Sequence, residues 1–473
     1  MKLNFRNTYQ KLPESFYQKG SPAKFPNPTL IKFNKSLAEQ LLIDCIDTSD
    51  IRLAEFFSGN KLIVGAEPIA QAYSGHQFGH FNPSLGDGRA LLLGDVEDLQ
   101  RKLMDIQLKG SGVTAFSRRG DGKSALGPVI REYILSEAMF NLGVPTTRAL
   151  AAVRTGEDVV REDVLPGGVF TRVSASHIRV GTFEYFSSRE MLDELKQLTH
   201  YSIKRLYPEL LDVENSHFLF LKEISKKKLD LVAKWMGLGF IHGVMNTDNT
   251  SIAGLTIDYG PCAFMDKYSR DKVFSSIDRQ GRYAYSNQGK IALWNLSMLA
   301  NSLYPVLRVD GESDEELIQR LQKLFSELEL YYENSYQEEM RKKFGFLENS
   351  DESKIFIANF LKHMEQEKLD FTNTFYDLRN LKFPNAELEE NWKNLLTGDQ
   401  ADAVKLMEKA NPFIIPRNHQ VEKAIQQSVV GDDSHFHYLV EAYSHPFEYN
   451  ESYLELTKSP APSEVVYQTF CGT

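Results

Sequence analysis

The run His242-Gly243-Val244-Met245-Asn246-Thr247-Asp248-Asn249, followed nine residues after its last member by Asp258-Tyr259-Gly260, constrains this chain more than any other feature. It sets amide and carboxylate oxygens on two turns that the fold must bring together if they are to share one ligand. Oxygens of this kind suit Mg²⁺ or Mn²⁺, which keep water and phosphate oxygens in their coordination shell. Taken alone, the first run also reads as a plain Asx-rich turn, since Asn246, Thr247, Asp248 and Asn249 all form turns readily. A helical pattern from Lys227 to Phe240 delivers the chain directly to it.

The spacing resembles the catalytic loop and metal motif of protein kinases, His-Arg-Asp-Leu-x-x-x-Asn and then Asp-Phe-Gly. In that register Asn249 and Asp258 fall on the metal ligands, whereas the catalytic Asp falls on Val244, which cannot accept a proton. Asp248 is the nearest carboxylate able to replace it. His242 is expected to orient the loop rather than to carry a proton.

The rest of the chain fits an α+β, protein-kinase-like two-lobed fold with an additional helical C-terminal region. Residues 1–60 form an N-terminal extension. Residues 61–188 form a small lobe, where runs such as Arg89–Gly94 and Met104–Leu108 read as strands. One helix interrupts them: Pro128 suits its first turn, Gly143 its end, and Ile130, Tyr133, Ile134, Ala138 and Met139 recur at near-helical spacing. Residues 189–313 form the larger lobe and residues 314–473 the helical region, opening with the amphipathic stretch Asp314 to Phe344. The lysine run Lys226-Lys227-Lys228 reads as a solvated helix start.

A length of 473 residues exceeds one ordinary core, and 42% hydrophobic residues fill large ones. With 54 basic against 64 acidic residues the formal charge is −10, which argues against broad binding to nucleic acid or to an anionic membrane. No run approaches the roughly 18 apolar residues of a membrane span, and the N-terminus lacks the apolar core of a secretory signal. Cytoplasmic residence is the expectation. Cys45, Cys262 and Cys471 are too few and too scattered for a disulfide framework or a zinc site.

Lys109 ends the second of those strand-like runs and Glu132 lies in the helix, the order in which a kinase supplies its phosphate-binding Lys and that residue's Glu partner. The loops Gly86-Asp87-Gly88-Arg89 and Arg118-Arg119-Gly120-Asp121-Gly122-Lys123 could bring backbone amides up to phosphates, or could be plain hairpin turns. Arg172 and Arg179 suit phosphate oxygens, but nothing local distinguishes them from surface arginines.

Longer stretches resemble one family closely: selenoprotein O, the pseudokinase-fold protein adenylyltransferases. They include Tyr73-Ser74-Gly75-His76-Gln77-Phe78-Gly79, Leu85-Gly86-Asp87-Gly88-Arg89-Ala90, Leu108-Lys109-Gly110-Ser111-Gly112, Pro145-Thr146-Thr147-Arg148-Ala149-Leu150 and Pro416-Arg417-Asn418-His419, spread over nearly the whole chain. The resemblance implies transfer of AMP from ATP to protein hydroxyls, with ATP flipped relative to kinases so that its α-phosphate faces the acceptor. It implies Asp248 as proton acceptor, Asn249 and Asp258 as ligands of Mg²⁺ or Mn²⁺, and Lys109 paired with Glu132. Gly86, Gly88, Arg89, Asp121, Gly122, Arg172 and Arg179, together with Lys109 and Asp258, would line the nucleotide. Related enzymes also make UMP transfer from UTP with Mn²⁺ an alternative, and a catalytically silent, nucleotide-binding scaffold is another. Where some relatives carry selenocysteine near the end, this chain carries Cys471; a reversible Cys262–Cys471 disulfide and two unpaired thiols are both open readings.

Overall fold

The computed structural model describes residues 1, 3–45, 47–467 and 469. Its first ten strands are β1 (Tyr17–Lys19), β2 (Thr29–Phe33), β3 (Ile69–Gln71), β4 (Gly75–Gln77), β5 (His80–Asn82), β6 (Ala90–Glu97), β7 (Leu103–Lys109), β8 (Ser124–Ala125), β9 (Arg148–Val160) and β10 (Val164–Ser174). The main sheet runs β1-β3-β6-β7-β10-β9-β2 with β8 paired to β10, and its pairings are antiparallel. Residues 1–60 thus supply both edge strands of this sheet, as well as α1 (Lys35–Gln40) and α2 (Asp50–Ser58). β4 and β5 form a separate hairpin.

Strand β7 shows how the sequence builds the site. Side chains alternate across a strand. Ile106 and Leu108 enter a core with Phe57, Leu93, Val153 and Val169, while Asp105, Gln107 and Lys109 share the other face. Helix α3 (Leu126–Asn141) follows β8, and Gly143 just past its end takes a left-handed φ of 77°, which glycine adopts without penalty. Its residues Ile130, Tyr133, Ile134 and Ala138 pack with Phe170 of the sheet and with Val421, Phe436 and Leu439 from near the C-terminus. Each buried side chain of this size contributes about 1.5–3 kcal/mol relative to exposure.

The chain then becomes helical: α4 (Val180–Ser187), α5 (Leu192–Leu206) and α6 (Ser216–Leu238) lead to the short strands β11 (Phe240–Ile241) and β12 (Ala263–Phe264), which pair. Nine further helices follow among the described residues: α7 (Gln288–Leu307), α8 (Asp314–Lys343), α9 (Asp351–Gln366), α10 (Phe371–Arg379), α11 (Ala386–Leu395), α12 (Gln400–Ala410), α13 (Asn418–Val429), α14 (Ser434–Ala442) and α15 (Leu454–Thr457). Helix α8 opens with a capping box in which Ser313 and Glu316 satisfy each other's backbone amides. No described helix is long and apolar enough to cross a membrane.

The lysine run departs from its sequence reading. Lys226, Lys227 and Lys228 lie in the middle of α6 rather than at its start. Lys228 is buried, its Nζ 4.6 Å from the Trp235 ring centre. Burial pushes its pKa down to about 7. The helical period carries the third lysine onto the core-facing side, where its long stem packs as an apolar group.

Candidate active site

The polar face of β7 meets the turn at Asp258. Lys109 Nζ donates to Glu132 Oε2 at 2.6 Å and to Asp258 Oδ1 at 2.8 Å. Arg172, opposite Gln107 in the β10–β7 ladder, donates from Nη1 to the same Asp258 oxygen at 2.6 Å and from Nη2 to Gln107 Oε1 at 2.7 Å. Arg179 Nη1 reaches Asp258 Oδ2 at 2.8 Å. Burial alone would raise the Asp258 pKa, but Lys109, Arg172 and Arg179 outweigh it and hold the carboxyl well below its usual range. Asp258 itself sits at φ 64°, a left-handed backbone that turns its side chain into this cluster. Arg172 and Arg179 are buried, not surface arginines. Three cations thus converge on Asp258, and two of them, Lys109 and Arg172, also engage Glu132, a set of donors of the kind that binds phosphate oxygens.

The loop after β11 is fixed atom by atom. His242 donates from Nε2 to the Ile257 carbonyl at 3.0 Å and accepts the Val244 amide on Nδ1 at 3.4 Å. Both bonds suit the neutral Nε2–H tautomer, and burial together with the Lys228 charge lowers the His242 pKa to about 4. His242 therefore orients the loop. Arg179 Nη1 also donates to the Asp248 carbonyl at 2.6 Å, joining this loop to the Asp258 cluster. Asp248 is buried; its Oδ2 accepts from Gln77 Nε2 at 3.2 Å, and its Oδ1 has no partner among the described residues. Burial raises its pKa to about 6, against the pull of Arg179 and the Gln77 hydrogen bond. A carboxylate in that range is poised to exchange a proton near neutral pH. Asn249 donates from Nδ2 to the Val244 carbonyl at 3.1 Å, which leaves its amide oxygen for a ligand. By donor type, that oxygen and the ionised Asp258 fit a hard divalent cation.

Lys109 also opens onto a cavity of about 1100 Å³, lined among others by Arg89, Glu132, Arg161, Tyr259, His419 and the 463–466 segment. The two glycine-bearing loops each pack on the intervening 112–117 segment. A Cβ on Gly86 would meet the Phe116 ring at 2.2 Å, one on Gly88 the Phe116 carbonyl oxygen at 2.9 Å, and one on Gly122 the Gly112 carbonyl oxygen at 2.1 Å. Thr114 Oγ1 donates to the Asp87 carbonyl at 2.6 Å, tying the first loop to that segment. Asp121 is engaged by Arg161 at 2.9 and 3.0 Å, and that pairing lowers its pKa. Among the described residues it makes no hydrogen bond to the Asp258 cluster, and Arg161 connects it to the cavity wall.

Two members of the site, Gln107 and Glu184, lie outside the stretches that resemble the family, and others in those stretches had no assigned role. Gln107 links Arg172 to Asp87, whose Oδ2 accepts from Gln107 Nε2 at 3.1 Å and from the Gln71 amide at 3.2 Å. Glu184 of α4 receives Thr247 Oγ1 and His76 Nδ1, each at 2.6 Å. Arg131, adjacent to Glu132, donates to the Cys262 carbonyl at 3.3 Å, to Asn418 Oδ1 at 3.0 Å and to Glu422. The alternation of polar residues in β7 was the only available hint of Gln107. Cys262 is buried directly after the Asp258 turn. Thr469 donates to the carbonyl of the preceding Pro261 at 2.6 Å, whereas Cys471 lies outside the described residues.

Comparison with known proteins identifies the family. The family model described as protein adenylyltransferase SelO matches residues 1–404. The protein nucleotidyltransferase YdiU of Bacillus mycoides (strain KBAB4) is 47% identical over 483 residues, covering 99% of this chain and 98% of its own length. That of Bacillus cereus (strain B4264) is 48% identical with the same coverage. A chain that shares this much sequence end to end shares the family's enzyme class, nucleotidyltransferase, and it belongs to the SelO family.

Proposed function

We propose that this enzyme transfers AMP from ATP to Ser, Thr or Tyr hydroxyls of other proteins, with ATP lying flipped relative to its orientation in kinases. The observation that carries this reading is the convergence of Lys109, Arg172 and Arg179 on Asp258, joined through Arg179 to a buried Asp248 while Val244 occupies the kinase base position. Strands β3 to β10 with α3 and α4 would correspond to a kinase small lobe, α5 to α7 to the large lobe, and the helices from α8 onward to an added region, with residues 1–60 as an N-terminal extension.

In this reading the three cations exchange carboxylate partners for the outer phosphates, which need their charge neutralised. The acceptor hydroxyl oxygen bonds to the α-phosphorus as the bond from that phosphorus to the bridging oxygen of the β-phosphate breaks. Pyrophosphate leaves, and Asp248 takes the hydroxyl proton. Asn249 and Asp258 would hold Mg²⁺ or Mn²⁺, which supplies further neutralisation of phosphate charge. Gly86, Gly88, Arg89, Asp121 and Gly122 would shape the remainder of the nucleotide site. Cys262 and Cys471 would form a redox-responsive disulfide, a pairing supported by Thr469 resting on Pro261. The working environment would be the cytoplasm, with neither nucleic acid nor membrane as partner.

The broader wording of the relatives' name, nucleotidyltransferase, also accommodates UMP transfer from UTP with Mn²⁺. Parallel incubations of the enzyme and a protein acceptor with ATP labelled at the α- or γ-phosphate, and with α-labelled UTP, test the proposal. Label from α-labelled ATP alone supports it. Label from the γ position means a kinase, preferential label from UTP means the alternative donor, and no label in any arm means a silent scaffold.

A further inference from the structure

The segment Tyr73–Gly79 is among the most distinctive stretches of the sequence, yet none of its residues has a part in the reaction described so far. In the structure it lies along the 246–248 loop and touches each residue of it. The Phe78 amide donates to Asn246 Oδ1 at 3.1 Å, the His76 amide to Thr247 Oγ1 at 2.6 Å, and Gln77 Nε2 to Asp248 Oδ2 at 3.2 Å. Gly75 completes the fit. A Cβ at that position would stand 2.7 Å from Asp248 Oδ1 and 2.9 Å from its Cβ, so only glycine leaves the carboxylate its place.

The strand is itself anchored on the opposite side. The Ser74 amide donates to the Gly181 carbonyl at 2.9 Å, and a Cβ on Gly181 would meet the Ser74 carbonyl oxygen at 2.1 Å. His76 Nδ1 and Thr247 Oγ1 donate to the two oxygens of Glu184 at 2.6 Å each. Strand, loop and α4 thus close a ring of hydrogen bonds around the residue preceding Asp248. Within this frame one Asp248 oxygen is tethered by Gln77, and the other, Oδ1, is buried and unpartnered among the described residues. A buried carboxylate oxygen without a donor is costly unless a ligand supplies one.

We infer that β4 is the positioning element of the proton acceptor: Gln77 holds Asp248 Oδ2, and Gly75 leaves Oδ1 the space it occupies, so that the carboxylate keeps one orientation toward the incoming hydroxyl. Gln77 acts through Asp248 and touches no reacting atom. This inference rests on the reading of Asp248 as proton acceptor.

Gln77→Met keeps the length of the side chain and removes its donor; Gly75→Ala crowds Oδ1 while leaving Gln77 in place. Both should lower kcat for transfer of α-label by about tenfold or more, because a misdirected base loses alignment with its proton. The KM for ATP and the Kd for a non-hydrolysable ATP analogue should stay within about twofold, the signature of an interaction expressed only in the transition state. In an Asp248→Asn background Gln77→Met should cause no further loss. Wild-type kcat in both variants, or a full additional loss in the Asp248→Asn background, overturns the inference. A crystal structure of Gln77→Met reads the orientation directly, whichever nucleotide the enzyme transfers. An Asp248 carboxylate rotated from its wild-type direction supports the inference, and an unmoved one sinks it. Absence of α-label transfer by the wild-type enzyme instead contradicts the proposed function.

Discussion

Lys109 and Asp258, 149 residues apart in the chain, meet with Nζ 2.8 Å from Oδ1, and the same Nζ holds Glu132 at 2.6 Å. One ammonium thus joins the last residue of β7, helix α3 and the Asp258 turn. Replacing it by methionine leaves two largely buried carboxylates without one of their cations and removes a charge intended for phosphate. Transfer of α-label by Lys109→Met should fall by about 10²–10³, the usual effect of losing one charge-stabilising donor. Lys109→Arg should not restore it, since a planar guanidinium cannot replace a compact ammonium at the same distances. Steady-state kinetics of the two variants checks both statements.

The proposed role of Asp248 as proton acceptor predicts a pH dependence. A base must be ionised to accept a proton, and burial raises its pKa to about 6. Below that value kcat/KM, which follows the ionisation of the free enzyme, should fall about tenfold per pH unit, and above it the profile should flatten. Asp248→Asn should lose about 10²–10⁴ of the rate, lack this acid limb, and still bind the ATP analogue. A pH–rate profile of both proteins, with calorimetric binding alongside, tests the prediction.

Arg131 predicts a stability effect. Its guanidinium is buried between the Cys262 carbonyl, Asn418 and Glu422, so it ties α3 to α13 and to the segment after the Asp258 turn. Arg131→Ala should cost about 3 kcal/mol, in line with breaking a largely buried charge pair. A lowered urea midpoint with unchanged slope would show it.

Oxidation supplies the fourth prediction. Thr469 rests on Pro261, the residue before Cys262, and if the proposed pairing holds, peptide mapping under oxidising conditions should find Cys262 and Cys471 linked. Cys262→Ser should abolish any change of activity with redox state. Failure to find the linked peptide removes the disulfide from the account.

Some of this was legible in the sequence and some was not. Helix α3 was, because Pro128, Gly143 and the spacing of Ile130, Tyr133 and Ile134 act locally. So was the meeting of Lys109 with Glu132, through its resemblance to a known order of residues. Gln107 and Gln77 were not, because an amide in a strand reads as solvent-facing until another element covers it. Arg172 and Arg179 looked like surface residues for the same reason: their burial depends on Asp258, about 80 residues on. Lys228 misled in the opposite sense, its charge suggesting solvent while the helical phase of α6 turned it inward. Gly86, Gly88 and Gly122 were marked for close approach, and what approaches them within the described residues is protein, Phe116 and Gly112.

The proposed chemistry turns on the direction in which the triphosphate lies, which a crystal structure with a non-hydrolysable ATP analogue and Mg²⁺ would reveal. The account predicts the α-phosphorus nearest Asp248 and the terminal phosphate among Lys109, Arg172 and Arg179. A terminal phosphorus nearest Asp248, with the adenine buried as in a kinase, would contradict it.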